Sequence, residues 1–140
     1  MKSKIFKRIL TVLSIFIFLG AQAQSVKHHV VFQLTSNDTL VHKALLKQVK
    51  NVLAAFDTIQ VEVVCHSNGI SLLMRDNTKF AAQLRELKDK GVVFDACRNT
   101  MKERNLKPED ITPIADFVPS GLGEVIRKQE IGWSYIKAGF

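Results

Sequence analysis

From Val26 onward, short runs of β-branched residues alternate with stretches of helical periodicity, and few folds accept that pattern. Val26 to Leu34, with Val30-Val31-Phe32 inside it, reads as a first strand. Ile59 to Cys65 is a second, Val92 to about Ala96 a third, Ile114 to Val118 a fourth, and Trp133 to Lys137 a last strand at the sheet edge. Between the first two, Val41, Leu45, Val49, Val52 and Phe56 recur at spacings of three and four, while Lys43, Lys47, Lys50 and Asn51 fall elsewhere. That is the stripe of an amphipathic helix laid on a sheet. Phe80, Leu84 and Leu87 mark a second one. Five strands with intervening helices predict an α/β fold, a three-layer α/β/α sandwich with a five-stranded, mainly parallel sheet. Right-handed crossovers put helices on both faces.

The punctuation agrees with that layout. Thr35-Ser36-Asn37-Asp38 supplies caps for the first helix, and Asp76-Asn77-Thr78 for the second, which Gly91 stops after Lys90. Ile70 to Met74 forms one helical turn, and Asn99 to Asn105 a short helix. Pro108 is placed to begin another turn. Ser120 caps a helix running through Val125 and Ile126 to about Gln129, and Gly132 breaks it.

The most chemical content lies in Val92-Val93-Phe94-Asp95-Ala96-Cys97-Arg98-Asn99-Thr100-Met101. In an open α/β sheet, ligands bind outside the carboxyl ends of the strands. Cys97 falls there, at a helix start and beside Arg98, and both features favour the nucleophilic thiolate. A small buried cysteine filling space fits the same spacing. Three loops gather at this end: Cys65 to Gly69, Cys97 to Thr100, and Pro119 to Gly121. The catalytic candidates are Cys97, Cys65 and His66. The candidates for substrate binding are Arg98, Asn99, Thr100, Ser67, Asn68, Gly69, Ser120 and Gly121. His66 also reads as a solvated turn residue, and Ser67-Asn68-Gly69 and Pro119-Ser120-Gly121 as ordinary turn chemistry. No G-x-G-x-x-G follows the first strand, so nothing supports a dinucleotide. His28 and His29 point to opposite faces, and a Cys65, His66 and Cys97 metal site lacks a fourth ligand. No cofactor or metal is expected.

The first 23 residues read as a secretory signal peptide. Lys2, Lys4, Lys7 and Arg8 precede an apolar run from Ile9 to Leu19, and Ala21 and Ala23 form an A-x-A cleavage site. That run is too short for a bilayer about 30 Å thick, so no membrane association is expected after cleavage. Residues 24–140 then form a single exported domain, located in a bacterial periplasm. The full chain has 20 Lys+Arg against 13 Asp+Glu, a net +7. Without the leader's four basic residues the balance is 16 against 13, or +3. Nothing there suggests nucleic acid, which calls for a clustered basic face. Two cysteines in an exported chain allow either a disulfide or a free thiol, but make no C-x-x-C motif and no zinc spacing.

Three segments together resemble the DsrE/DsrF-like family: Cys97-Arg98-Asn99-Thr100-Met101, Val118-Pro119-Ser120-Gly121, and Gln129-Glu130-x-Gly132-Trp133-x-Tyr135-Ile136-Lys137. The resemblance runs from His29 to the carboxyl end. It implies a DsrEFH-like fold with the second and third strands adjacent, and homo-oligomers, commonly trimers or hexamers. In the family's sulfur-relay members, a cysteine in the loop after the third strand carries a persulfide between proteins, and Cys97 falls at that position. Those members are cytoplasmic, and small apolar residues follow their cysteine, where this chain has an export signal and Arg-Asn-Thr-Met.

Three functions follow. In the first, Cys97 accepts sulfur from a donor protein or passes it to an acceptor, with Arg98 and helix amides stabilising the anion, Cys65 resolving and His66 moving the proton. In the second, the protein is a non-catalytic oligomeric binding module for a small anionic or sulfur-containing ligand. In the third, the adjacent strand ends let Cys65 and Cys97 form a structural disulfide in an assembly protein. Trp133 and Tyr135 cover the pocket or an interface, or are ordinary packing.

Overall fold

Val30-Val31-Phe32 and Val63-Val64 are apolar on both faces, the mark of strands covered on both sides. The computed structural model describes residues 27–139; the expected leader and its cleavage site lie outside the described residues. The strands are β1 (His28–Leu34), β2 (Ile59–Cys65), β3 (Val93–Cys97), β4 (Asp116–Val118) and β5 (Ser134–Lys137). They form one parallel sheet in the order β4-β3-β2-β1-β5. Helices α1 (Thr39–Ala55), α2 (Ala81–Asp89), α3 (Arg98–Glu103) and α4 (Gly121–Glu130) connect them. The α/β architecture, the five parallel strands, the β2–β3 adjacency and the edge position of β5 all match expectation.

The order of strands explains the unequal faces. From β1 to β4 the chain steps one way across the sheet, and its crossovers cover one face. From β4 it returns past β1 to place β5, so a right-handed connection carries α4 across the opposite face. The first face holds the large core: Phe32, Leu34, Val63, Cys65, Phe94 and Ala96 pack against Leu45, Val49 and Leu84. Under α4 the apolar cluster is small, with Val31, Val64, Val118, Val125 and part of Trp133. Much of the rest of that face is polar. Glu62, Asp95 and Glu124 are all buried there, beside Lys128.

Several local expectations shift. Asp38 caps α1, its carboxylate accepting the Leu40 N–H at 2.8 Å. Phe56 lies beyond the helix and stacks on His28, with ring centroids 4.4 Å apart. Ser67-Asn68-Gly69 is the start of a 3₁₀ segment that runs through Leu73. Asn77 does not cap the second helix, because its side chain donates to the Ser71 carbonyl at 2.9 Å. A 3₁₀ turn over Thr78–Phe80 leads into α2 instead. β4 begins two residues later than expected, at Asp116. Gly91 and Gly132 do end helices, at φ +88° and +87°, conformations that suit glycine. Among the described residues, no helix is long and apolar enough to cross a membrane.

Candidate functional site

Register decides which candidates meet. In a parallel pair, partnered residues share a face and successive residues alternate. Cys65 is partnered with Ala96, so Cys97, one residue further, points to the other side of the sheet. Cys65 enters the large core under α1 and α2, with no exposed surface. Burial raises its thiol pKa far above the usual range, and the charge of Asp95 adds to the rise. The structural disulfide expected as one alternative is therefore corrected. Both cysteines are free, and sulfurs on opposite faces cannot be bridged without rebuilding a strand. The resolving role for Cys65 loses its geometry for the same reason.

Cys97 ends β3 on the α4 face and immediately precedes α3. It is 4% exposed. Burial alone would raise its pKa, but four donors oppose that: the Thr100 amide and hydroxyl, the Gly121 amide and the Asn99 amide. They prevail, and the thiol lies below its ordinary value. The Gly121 N–H stands 3.2 Å from the sulfur. It is available because Gly121 opens α4, where amides lack helical partners. Ser120 caps the same helix, its hydroxyl accepting the Gly123 N–H at 3.2 Å.

Thr100 is buried, and its hydroxyl oxygen accepts the Ser67 N–H at 2.9 Å. That acceptance leaves the hydroxyl proton free to point at Cys97. Ser67 has φ +51°, an uncommon conformation for a residue with a side chain. Its hydroxyl lies 3.1 Å from Nδ1 of His66. On the other side of the ring, Nε2 is 2.8 Å from the Gln33 side-chain amide nitrogen, and the Tyr135 hydroxyl donates to the Gln33 oxygen. Both ring nitrogens are thus occupied. Burial lowers the His66 pKa, which keeps the ring neutral. Gly121 packs against this ring so closely that an added Cβ would lie 2.9 Å from the His66 Cβ.

The remaining candidates lie elsewhere or do other work. Arg98 stacks on the Phe117 ring at 4.8 Å, on the first face of the sheet, so its charge is not among the groups that favour the thiolate. Asn68 accepts a hydrogen bond from Arg104. Gly69 is a packing requirement, since a Cβ there would fall 2.2 Å from the Leu34 carbonyl oxygen. The structure therefore gathers Cys97, Asn99, Thr100, Ser67, His66, Ser120 and Gly121, and separates Cys65, Arg98, Asn68 and Gly69 from them. Gln33 was missed by sequence reasoning, and Tyr135 was read only as a pocket or interface cover or as packing, not as a hydrogen-bonding partner. Their signal was a lone glutamine inside the apolar strand Val30 to Leu34, and a tyrosine whose parity matches it on β5. Among the described residues, no three His, Cys, Asp or Glu side chains are arranged to hold a metal ion.

A second polar cluster lies on the same face, toward the middle of the sheet. Lys128 pairs with Glu62, stands 3.6 Å from Glu124 and sits 4.1 Å over the Trp133 ring. One Glu62 oxygen is buried without a donor. The Asp95 carboxyl has its pKa raised to about 7, first by burial and then by the charge and hydrogen bond of Glu62. Protonated Asp95 is a hydrogen-bond donor beside Glu62, the residue whose buried oxygen lacks one.

The chain was compared with known proteins. No curated protein matches it significantly. Among solved structures, it is similar to MTH1491 of Methanobacterium thermoautotrophicum, described as a protein of unknown function. The two are 33% identical with a TM-score of 0.76, and the match covers 79% of this chain and 98% of that one. The DsrE/DsrF-like family model matches residues 28–138, from the first residue of β1 to the residue after β5, and the chain belongs to that family.

Proposed function

We propose that this protein carries sulfane sulfur on Cys97. The observation that supports the reading best is the Gly121 N–H held 3.2 Å from the buried Cys97 sulfur, where Thr100 and Asn99 also lower the thiol pKa, beside a histidine with both nitrogens engaged. Such a thiol is activated by stabilising its anion, not by handing its proton to a base. The Cys97 thiolate attacks the outer sulfur of a persulfide R–S–SH. A sulfur–sulfur bond forms to Cys97, the bond to R–S breaks, and R–S⁻ leaves. The product is Cys97–S–SH. Charge and atoms balance, and no external oxidant enters. A second thiolate then takes the outer sulfur by the same displacement. Cys65, on the far face of the sheet, takes no part, so the acceptor is a separate molecule.

The test is loading with glutathione persulfide followed by intact-mass measurement. One added sulfur atom is expected on the native protein and none on Cys97→Ser, with Cys65→Ser loading as the native protein does. Persistent loading of Cys97→Ser would refute the assignment. Undiminished binding of a sulfur-containing ligand by Cys97→Ser, with no loading of the native chain, would instead favour the binding-module reading.

A further inference from the structure

Hydrogen bonds on the α4 face link Tyr135, Gln33, His66, Ser67 and Thr100 in one line along four strands. Tyr135 lies on β5, Gln33 on β1, His66 just past β2, and Cys97 at the end of β3. The line begins where the strand order reverses, between β1 and β5, which is where ligand crevices form in open α/β sheets. It ends at Thr100, three residues past Cys97 and one of the groups that lower its thiol pKa. We propose that Tyr135 and Gln33 are positioning residues for Cys97, acting on it through His66, Ser67 and Thr100. The proposal rests on the sulfur-carrier reading of Cys97 and adds what holds that site in its active arrangement.

The direction of donation carries the argument. An amide side chain can face either way, and here the Gln33 oxygen faces the Tyr135 hydroxyl and its nitrogen faces His66. In this orientation the Tyr135 hydroxyl donates to the oxygen and the NH₂ group is turned toward His66. An NH₂ group can only donate, so Nε2 of His66 must accept and the ring proton must reside on Nδ1. Nδ1–H then donates to the Ser67 hydroxyl. This contact holds Ser67 in its positive-φ conformation, which aims the Ser67 N–H at Thr100. With one lone pair of its oxygen filled, the Thr100 hydroxyl keeps its proton for the sulfur. Reversing any one link breaks the chain. A carboxylate at position 33 accepts where the amide donates, draws the His66 proton to Nε2 and leaves Nδ1 with nothing to give Ser67.

Other titratable groups face this line. Asp95 precedes Cys97 by two residues on the same sheet face, Asp116 is its partner on β4, Glu124 lies on α4, and Lys137 is the partner of Gln33 on β5. All are unchanged between the native protein and the variants below, so they cancel in the comparison.

The experiment is the pH profile of Cys97 alkylation by iodoacetamide in the full chain carrying Cys65→Ser, alone and with Gln33→Glu or Tyr135→Phe. It is paired with ¹⁵N NMR of the His66 ring. The expected parent has a depressed midpoint and a proton on Nδ1. Gln33→Glu is expected to move the midpoint up by about half to one pH unit, the loss of roughly one hydrogen bond to the anion. It should also shift the ring proton to Nε2. Tyr135→Phe, on an exposed edge strand, should fold normally and move the midpoint the same way by less. If Gln33→Glu does not fold, Tyr135→Phe decides the question alone. A depressed parent midpoint that neither variant moves, or a parent ring protonated on Nε2, overturns this proposal and leaves the carrier reading intact. A parent midpoint at the ordinary thiol value overturns both.

Discussion

A thiol at a strand end becomes a useful nucleophile only where the protein solvates its anion better than burial penalises it. At Cys97 that balance depends on Thr100, which supplies two of the four donors and links the sulfur to Ser67. Thr100→Val keeps the shape and removes the hydroxyl. The Cys97 alkylation midpoint is predicted to rise by about one pH unit. Unfolding stability should fall by about 1–2 kcal/mol, because the Ser67 N–H loses its acceptor. Thr100→Ser should restore both, and an unmoved midpoint in Thr100→Val would remove the hydroxyl from the account. At this scale the sequence was informative about Cys97 and Thr100, which stand at a strand end and a helix start. It was silent about their partners. Arg98 sits next to the cysteine in sequence, yet one residue of alternation carries its guanidinium to the Phe117 face. Gln33 lies 64 positions from Cys97 and belongs to its hydrogen-bonded line. Adjacency in sequence is a poor guide where side chains alternate.

Elements were more legible, because each of them is written in a local pattern. The stripe of α1, the whole of β2 and the glycine stops needed only nearest neighbours, and they appear close to where periodicity put them. What periodicity could not supply was the content of the α4 face, since that follows from the long return from β4 to β5. The charged residues inside Val61-Glu62-Val63 and Phe94-Asp95-Ala96 were its visible sign. Their consequence is a pH dependence that runs against the usual carboxylate case. Asp95 is raised to about 7 when folded, above its value of about 4 in an unfolded chain. Between those values the folded state holds a proton that the unfolded state has released. Stability from this group is therefore full below about pH 4 and declines as pH rises toward 7. Asp95→Asn keeps a donor for Glu62 and does not ionise. Thermal unfolding at pH 8 should show the variant more stable than the native protein by up to about 4 kcal/mol, about 1.4 for each pH unit of the shift, with the gap closing by pH 4. An equal gap at both pH values would show that Asp95 does not carry the linked proton.

On the scale of the whole molecule, the same topology that builds the fold separates its two cysteines. Strands β2 and β3 are neighbours, as the family resemblance implied, but adjacency brings Cys65 level with Ala96 and not with Cys97. One cysteine is thereby committed to the core between sheet and α1, and the other to the line of polar groups beneath the start of α4. Strand adjacency was available from the sequence through the family; the face was not, because it needs the register to a single residue. The account's central claim is that Cys97 alone is the reactive thiol. Its most direct test is brief alkylation of the native protein at neutral pH, with and without prior reductant, followed by peptide mapping by mass spectrometry. The account predicts modification of Cys97 in both samples and of Cys65 in neither until the chain is unfolded. Equal labelling of the two cysteines, or no labelling of either until reductant is added, would contradict it.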